Sequence, residues 1–332
     1  MRYSVIIPVY NRPDEVDELL QSLTQQSFKD FEVIVVEDGS SIPCKPVTEK
    51  YQELLDVHYY DKPNSGPGQT RNYGAERSKG EYLIILDSDC ILPEGYFLAV
   101  EEELQHEAAD AFGGPDRAHE SFTNIQKAIN YSMTSFFTTG GIRGGKKKMD
   151  KFYPRSFNMG VRQEVYQALG GFSRMRFGED IDFSIRIFKG GYTCRLFPGA
   201  WVYHKRRTDF RKFFKQVHNS GIARINLYKK YPESLKLVHL LPAAFTLGVA
   251  IFLLGTPFCP YSLCPSLFMR FWYAWTPLSG TVASASGSTP SPPPSSSSSD
   301  TGRGSCAPGG TAAYLARTSS RRSKRTFTNK ED

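Results

Sequence analysis

The first 230 or so residues predict an α/β fold with a mostly parallel central sheet and helices on both faces. Short apolar runs rich in Val and Ile alternate with segments of helical spacing, which is the pattern of successive βαβ units. The run from Tyr82 to Leu86 is apolar throughout, as expected of a strand buried on both faces of such a sheet. It leads directly into Asp87-Ser88-Asp89, and ligand sites of these sheets lie at the carboxyl ends of the strands.

The amino-terminal half contains four predicted strands separated by helices. In chain order the elements are a strand at 3–9, a helix at 13–26, a strand at 31–36, a helix at 45–55, a strand at 57–60, a helix from 68 to about 79 and a strand at 81–87. The helix at 13–26 carries apolar residues at helical spacing and acidic residues in its first turn, where the helix dipole favours them.

The pattern loosens between residues 113 and 157, where Gly113-Gly114-Pro115 and the Gly-rich segment 140–145 predict mobile loops over a site. Regular structure then returns. The expected elements are a strand at 157–161, helices at 163–169 and 179–189, strands at 192–197 and 201–204, and a helix at 208–230. Together with the first half, they predict one domain over residues 1–232.

Residues 235–275 form a hydrophobic region. Val238 to Leu254 is almost entirely apolar, and because about 20 such residues cross a bilayer, we expect a transmembrane or membrane-associated segment. A helix buried in a protein core is the alternative. The excess of Lys and Arg between 205 and 230 predicts that the preceding domain lies on the cytoplasmic side of an inner or plasma membrane. The basic amphipathic helix at 208–230 fits a membrane surface and equally a helix packed on the domain.

Composition changes abruptly after residue 275. Residues 276–332 are rich in Ser and Pro and then basic, so they contain too little apolar surface to fold and predict a disordered tail. A reading-frame shift near residue 270 and a genuine tail both account for the change, and resequencing the DNA across this point distinguishes them.

Charge and cysteine content narrow the class of partner. The net charge of +7 suits a phosphate-bearing ligand or an anionic membrane surface. No nucleic-acid partner is expected, because the basic clusters at 146–148 and 205–207 lack the aromatic pattern of an RNA-binding sheet. The six cysteines show no CxxC spacing, which favours neither a zinc site nor a disulfide framework and fits a reducing cytoplasm. A signal peptide is not expected, since Met1 leads directly into a strand.

Several motifs, taken together, resemble the inverting family 2 glycosyltransferases of GT-A fold. The matching pieces are Val5-Ile6-Ile7-Pro8-Val9-Tyr10-Asn11, Val35-Val36-Glu37-Asp38-Gly39-Ser40, Gly68-Gln69-Thr70-Arg71-Asn72, Asp87-Ser88-Asp89 and Gly178-Glu179-Asp180-Ile181-Asp182. They span residues 3 to about 225, and their order and spacing are specific although each piece alone is not. The resemblance implies transfer of a sugar from a nucleotide-diphosphate donor, with inversion, to an acceptor hydroxyl.

The resemblance also implies a donor site. Pro8, Tyr10 and Asn11 would border the base and ribose, Asp38 would hydrogen-bond the base, and Arg71 would lie near the diphosphate. An arginine on the helix surface is the alternative for Arg71.

Metal and catalytic roles follow from the same resemblance. Asp87 and Asp89 would form the Asp-x-Asp motif that binds Mg²⁺ or Mn²⁺ across the donor phosphates, with Asp87 also contacting the donor. His204 would lie near the metal, although a lone histidine is more often structural. Asp180 would be the general base; the alternative is an acid favoured only by the helix dipole. Asn158, Met159 and Glu179 would line the acceptor side.

The chemistry agrees with these roles. Carboxylates bind hard divalent cations, which neutralise a leaving diphosphate, and a positioned carboxylate can take the proton of an attacking hydroxyl. Two other classes remain open: a haloacid-dehalogenase-like phosphohydrolase with Asp87 as nucleophile, and a non-catalytic membrane-associated binding module. The resemblance favours a UDP-sugar and a lipid-linked or envelope glycan acceptor, and leaves the sugar, linkage and oligomeric state open.

Overall fold

The computed structural model describes residues 1–117, 122–134, 152–205, 209–235 and 237–255. The strands are β1 (Tyr3–Val9), β2 (Phe31–Asp38), β3 (Val57–Lys62), β4 (Tyr82–Leu86), β5 (Cys90–Ile91), β6 (Ala111–Gly113), β7 (Asp116–Arg117), β8 (Asn158–Arg162), β9 (Cys194–Leu196) and β10 (Val202–His204). The helices are α1 (Pro13–Thr24), α2 (Lys45–Glu49), α3 (Pro67–Ala75), α4 (Tyr96–His106), α5 (Asn124–Thr134), α6 (Gln163–Ala168), α7 (Glu179–Lys189), α8 (Phe210–Lys230) and α9 (Leu241–Gly255).

Within the described residues, seven strands form one sheet in the order β3-β2-β1-β4-β8-β6-β9. Strands β3, β2, β1 and β4 run parallel to one another, and β9 is parallel to β6. Strand β8 runs antiparallel to both of its neighbours, β4 and β6. The predicted α/β class with a mostly parallel sheet is therefore confirmed, with one reversed strand inserted near the middle.

Strand β1 illustrates how helices cover both faces. Val5 packs in one apolar layer with Leu19 of α1 and Phe97 of α4. The next residue, Ile6, points to the opposite layer, which contains Phe183 of α7. Because each buried apolar side chain of this size contributes about 1.5–3 kcal/mol, the two layers together hold the sheet rigidly. The carboxyl ends of its strands are thereby fixed relative to one another.

A second sheet consists of three short strands in the order β5-β10-β7, and its first strand in the chain, β5, follows β4 after Asp87-Ser88-Asp89. Strand β10 is antiparallel to β5, with His204 opposite Cys90, and parallel to β7. This pairing brings His204 to the carboxyl end of β4 although the two are far apart in sequence.

Helix α8 is fastened to α7 by one fully buried carboxylate. Asp182 accepts hydrogen bonds from Lys230 Nζ at 2.5 Å and Tyr231 Oη at 3.0 Å on one oxygen, and from Arg186 Nε at 3.0 Å on the other. Burial opposes ionisation of Asp182, but the bond from Lys230 and the charge of Arg186 outweigh it and lower the pKa of the carboxyl.

Several predicted boundaries need correction. Helix α2 ends at Glu49 and continues to Leu54 only as turns, so the helix expected over 45–55 is wrong in its second half. Helix α3 ends at Ala75 rather than near residue 79. The sequence prediction contained neither α4 nor α5, and α5 lies inside the segment interpreted as loop.

Gly113-Gly114-Pro115 is not a mobile loop. Gly113 ends β6, and a Cβ atom on Gly114 would come within 1.6 Å of the Ala200 carbonyl oxygen. The glycine therefore permits a close approach of two backbones. The other predicted loop, 140–145, lies outside the described residues.

The described part of the hydrophobic region ends at residue 255. Of the helices described, none combines the length and the apolar character needed to cross a bilayer. Helix α9 occupies 241–255, whereas the remainder of the predicted segment 235–275 beyond it, and the predicted tail 276–332, lie outside the described residues.

The carboxylate that joins α7 to α8 can be tested by unfolding. Asp182→Ala should lower the free energy of unfolding by about 1–3 kcal/mol at pH 7, because the partly exposed Lys230 and Arg186 and the buried Tyr231 hydroxyl lose their common acceptor. Since the folded pKa of Asp182 is lowered, its contribution is complete above the unfolded value and is lost as the pH falls through the folded value. Urea denaturation should show that the difference in unfolding free energy between the wild type and Asp182→Ala is smaller in acid than at pH 7. Glu233→Ala, which removes an exposed ion pair to Lys189, is the control and should change little.

Candidate functional site

A cavity of ≈ 150 Å³ lies at the carboxyl end of β4. The predicted residues Asp87, Asp89, Asp180 and His204 line it. These side chains come from the segment after β4, from the first turn of α7 and from β10. The structure therefore brings together four of the residues singled out from the sequence, as expected for a ligand site at the edge of an α/β sheet.

One wall of the cavity depends on Arg71 of α3. Its Nη2 donates to Asp87 Oδ1 at 2.7 Å and its Nη1 to Glu179 Oε1 at 3.1 Å, while the guanidinium lies 5.4 Å from the centroid of the Phe172 ring. Arg71 is only 3% exposed, so the alternative of a surface arginine is wrong. Burial works against its charge, but Asp87 and Glu179 more than compensate and raise the pKa of the guanidinium. Burial also raises the pKa of Glu179, despite its contact with Arg71.

The opposite wall joins Asp89 to His204. His204 Nε2 lies 3.2 Å from Asp89 Oδ1, and the imidazole stacks on Phe157 with ring centroids 4.7 Å apart. Arg12 Nη1 also reaches Asp89 Oδ2 at 3.4 Å. Burial alone would lower the pKa of His204, but the negative charge of Asp89 outweighs it and raises that pKa.

The residues present fit a divalent cation. One ligand atom each from Asp89, Cys90 and His204 lie within 4.8 Å of one another, and Asp87 lines the same cavity. The Cys90 thiol donates to the Phe157 carbonyl oxygen at 3.4 Å, and burial raises its pKa well above the ordinary value, so it remains protonated and is a poor ligand. Carboxylate oxygens with one imidazole are a donor set suited to Mg²⁺ or Mn²⁺.

Asp180 faces the same cavity from the first turn of α7. Its Oδ1 accepts a hydrogen bond from the backbone N–H of Ile181 at 2.8 Å, and its Oδ2 lies 2.7 Å from Arg155 Nε. Arg155 was not identified from the sequence, because it lies in the segment 113–157 where no regular pattern was found. Asp182, the neighbouring acid, is buried against α8 and does not line the cavity.

Asp38 lies at the carboxyl end of β2 and organises the loop before α3. It accepts hydrogen bonds from the backbone N–H groups of Ser65 at 2.8 Å and Gly66 at 2.9 Å, and from Lys62 Nζ. Burial opposes its ionisation, but Lys62 and Ser65 outweigh burial and lower the pKa of Asp38. Lys62 was also missed, although it stands opposite Asp38 in the parallel register of β2 and β3. That register, once predicted, would have identified it.

The remaining donor-side residues follow β1. Pro8 lies within the strand, and Tyr10 beyond it is 54% exposed. Asn11 has a positive φ of 53°, and its Oδ1 accepts from the backbone N–H groups of Ser41 at 2.8 Å and Ile42 at 3.0 Å. Asn11 therefore ties the turn after β1 to the turn after β2, while the Tyr10 ring stays accessible.

Two residues predicted for the acceptor side are not brought to the cavity. Asn158 is buried, its Nδ2 donating to the Ala200 carbonyl oxygen at 2.8 Å and its Oδ1 accepting from Tyr96 Oη at 2.7 Å. Met159 is buried in the apolar layer beside α7. Both predictions need correction, because strand β8 crosses the middle of the sheet and its side chains are enclosed on both faces. Glu179, the third such residue, contacts Arg71 instead of facing the cavity.

Comparison with known proteins identifies similar chains. The family model described as Glycosyl transferase family 2 matches residues 4–170. An uncharacterized glycosyltransferase of Haemophilus influenzae is 30% identical over 193 residues, which cover 56% of this chain and 62% of that relative. The matched region thus spans less than two thirds of the relative's length.

Two solved structures share the fold. The mannosyltransferase PcManGT from Pyrobaculum calidifontis, in complex with GDP-Man and Mn²⁺, superposes with a TM-score of 0.62 at 16% identity, over 83% of this chain and 81% of that one. Residues 1–349 of Staphylococcus aureus TarS, in complex with UDP-GlcNAc, superpose with a TM-score of 0.50 at 21% identity, over 70% and 73%. These two similarities establish the GT-A-like fold.

The role of Arg71 can be tested by replacing it with an apolar side chain of similar length. Arg71→Met should lower the free energy of unfolding by about 3–5 kcal/mol at pH 7, because Asp87 and Glu179 lose their common cation. A carboxyl whose folded pKa is raised, as for Glu179, destabilises the fold increasingly as the pH rises above the unfolded value. Urea denaturation between about pH 4 and pH 7 should therefore show the variant weakening with rising pH.

The control for this experiment is the double variant Arg71→Met/Glu179→Gln. It should recover part of the lost stability and show a flatter dependence on pH, because the buried ionisable group is gone. A single variant as stable as the wild type at pH 7 would contradict a structural role for the ion pairs.

Proposed function

The chain belongs to glycosyl transferase family 2, and from that premise we propose that it moves a sugar from a nucleotide-diphosphate donor to an acceptor hydroxyl with inversion. It is a transferase, as its relatives are, so the phosphohydrolase and the non-catalytic module are set aside. The observation that carries the proposal is the convergence of Asp87, Asp89 and Asp180 on one cavity. That arrangement supplies carboxylates for a metal and a separate carboxylate for a proton.

Donor binding would use the side of the cavity nearest β4. Asp87, Asp89 and His204 would hold Mg²⁺ or Mn²⁺, which when bound neutralises the leaving diphosphate. Arg71 keeps the Asp87 carboxylate in place, so its second oxygen can face the cavity. Tyr10 offers an accessible ring for the base, and Asp38 and Asn11 hold the two turns that border it.

Proton transfer would use Asp180. Its Oδ1 is committed to the backbone of Ile181, so Oδ2 is the atom that takes the proton as Arg155 turns away. The acceptor oxygen then bonds to the anomeric carbon while the bond from that carbon to the diphosphate breaks, and one displacement inverts the centre. Arg155, 35% exposed at its side chain, has room to make this movement.

The class of nucleotide-sugar donor is proposed from the two solved structures that share the fold. A neighbour crystallised with UDP-GlcNAc and another with GDP-Man both share the fold, which supports a nucleotide-sugar and, with the motifs, a UDP-sugar of a hexose or N-acetylhexosamine. A lipid-linked or envelope glycan is the proposed acceptor.

The base assignment predicts a loss of rate without a loss of donor affinity. Asp180→Asn keeps the shape and the bond to Ile181 but cannot accept a proton, so kcat should fall about 10²–10⁴-fold. Calorimetric titration with UDP-GlcNAc and with GDP-mannose in Mn²⁺ should give unchanged dissociation constants. Asp89→Ala should instead weaken donor binding in Mn²⁺, and Glu164→Gln, on the exposed start of α6, should change neither quantity.

Two outcomes would oppose these assignments. Transfer by Asp180→Asn at the wild-type rate would place the base elsewhere, and full activity of the wild type in EDTA would rule out the metal.

We also propose that α8 contacts an anionic membrane, with the domain on its cytoplasmic side. One stripe of α8 is buried at Ala223 and Leu227, beside α7. Roughly opposite, at helical spacing, lies an apolar stripe that is exposed to solvent: Phe210, Phe214, Val217, Ile225 and Tyr228. Exposed Arg211, Lys215 and Lys229 lie along one side of it. An apolar stripe beside basic residues is the pattern of a helix at a lipid surface.

The contact can be tested by removing the two most exposed aromatic rings of α8, Phe210 and Phe214. Phe210→Ser/Phe214→Ser in the full chain should reduce flotation with vesicles of phosphatidylcholine and phosphatidylglycerol at least tenfold, since each buried Phe contributes about 1.5–3 kcal/mol. Leu54→Ser, at an equally exposed apolar residue away from α8, is the matched control and should float normally. Unchanged flotation of the double variant would contradict α8 as the contact.

A further inference from the structure

A second cluster of ionisable side chains lies at the amino ends of β2 and β3. It consists of Glu32 near the start of β2, Asp56 just before β3, and His58 near the start of β3. Asp38 ends β2 beside the candidate site and lies six residue steps along the strand from Glu32, a distance of about 20 Å. The cluster therefore lies at the opposite edge of the sheet and takes no part in the proposed reaction.

Three side-chain atoms converge in this cluster. His58 Nε2 lies 3.2 Å from Asp56 Oδ1 and 3.5 Å from Glu32 Oε2. One ligand atom from each of the three residues lies within 4.8 Å of the other two. The residues share one face of the β2–β3 pair, because strand register sets His58 opposite Ile34, two positions from Glu32.

The buried member of the cluster is incompletely satisfied. Glu32 is 0% exposed, and its Oε1 accepts from Ser4 Oγ at 2.6 Å and the backbone N–H of Lys79 at 2.7 Å. Among the described residues, Glu32 Oε2 accepts no hydrogen bond and His58 Nε2 makes none. A buried carboxylate oxygen without a hydrogen bond is costly, and a cation bound between it and His58 Nε2, 3.5 Å away, would satisfy it.

The two separations from His58 Nε2 are compatible with ligand atoms around one bound cation. Ligand atoms about 2.0–2.1 Å from a tetrahedral ion are about 3.3 Å from one another, close to the two separations from His58 Nε2. The bonds from Ser4 and Lys79 to Oε1 would fix the orientation of the Glu32 carboxylate, as outer hydrogen bonds do for metal ligands. Asp56 and His58 are partly exposed, which leaves a route for an ion and for water.

We propose that Glu32, Asp56 and His58 form a binding site for a divalent transition-metal ion of the Zn²⁺ class, completed by water. Two carboxylates and one imidazole without a thiolate are a donor set that Zn²⁺ accepts, and a single imidazole disfavours Ca²⁺. Strand β3 is the edge strand of the large sheet, so the ion joins it to β2 and stabilises that edge. The site is structural, and it is separate from the metal proposed for the sugar donor.

The test uses the full chain after EDTA treatment, with Asp89→Ala present throughout to remove the candidate catalytic metal site. Titration with Zn²⁺ alone should show one equivalent bound, and saturation should raise Tm by about 5 °C, as expected when the free ion is at about 100 times Kd. Co²⁺ alone should give the visible absorption of a tetrahedral site. His58→Gln should weaken Zn²⁺ binding at least tenfold and abolish the Co²⁺ bands. Asp56→Asn should weaken Zn²⁺ binding by a smaller factor and reduce the Co²⁺ bands.

His106→Gln is the matched control, because His106 is an exposed histidine at the end of α4. It should bind Zn²⁺ and Co²⁺ like its parent. The proposal is overturned if the parent binds no Zn²⁺, or if binding survives both His58→Gln and Asp56→Asn. It is also overturned if stability depends on pH through His58 but not on added Zn²⁺, since a protonated His58 between two carboxylates would then explain the cluster.

Discussion

The buried guanidinium of Arg71 is the contact on which the site depends. It joins α3, the end of β4 and the start of α7 through its bonds to Asp87 and Glu179, and the arginine itself is only 3% exposed. A cation in that position offsets the repulsion among the acids that the sheet edge gathers together. Its charge directly balances Asp87, which is proposed for the metal, and Glu179, which precedes Asp180 in the first turn of α7. The apolar layers on both sheet faces supply the rigidity that keeps the three elements aligned.

The site is assembled from segments that approach through two different sheets. The large sheet sets the ends of β2 and β4 at the same edge, on either side of β1, and the small sheet returns the chain so that His204 reaches Asp89. Gly114 allows this return, because any side chain there would collide with the backbone at Ala200. Catalytic geometry therefore rests on backbone pairing as much as on the acidic residues.

The sequence predicted what depends on local pattern. Strand β4, helix α7 and the acids that follow or begin them were all identified, since apolar runs and first-turn acids are local signals. Lys62 and Arg155 were missed because their roles arise from partners far along the chain. Asn158 and Met159 were misassigned for the same reason: only the position of β8 between β4 and β6 decides that their side chains are enclosed. The motif order identified the family, whereas burial of individual side chains required the fold.

Helix α8 separates the cavity from the surface proposed for lipid. Gln216 lines the cavity, while Phe214, two residues earlier, is 72% exposed on the outer stripe. Under the proposed membrane contact, the thickness of one helix, about 10–12 Å, would separate the cavity from the bilayer surface. An acceptor held in that membrane would then need its reactive hydroxyl at about this height above the bilayer surface.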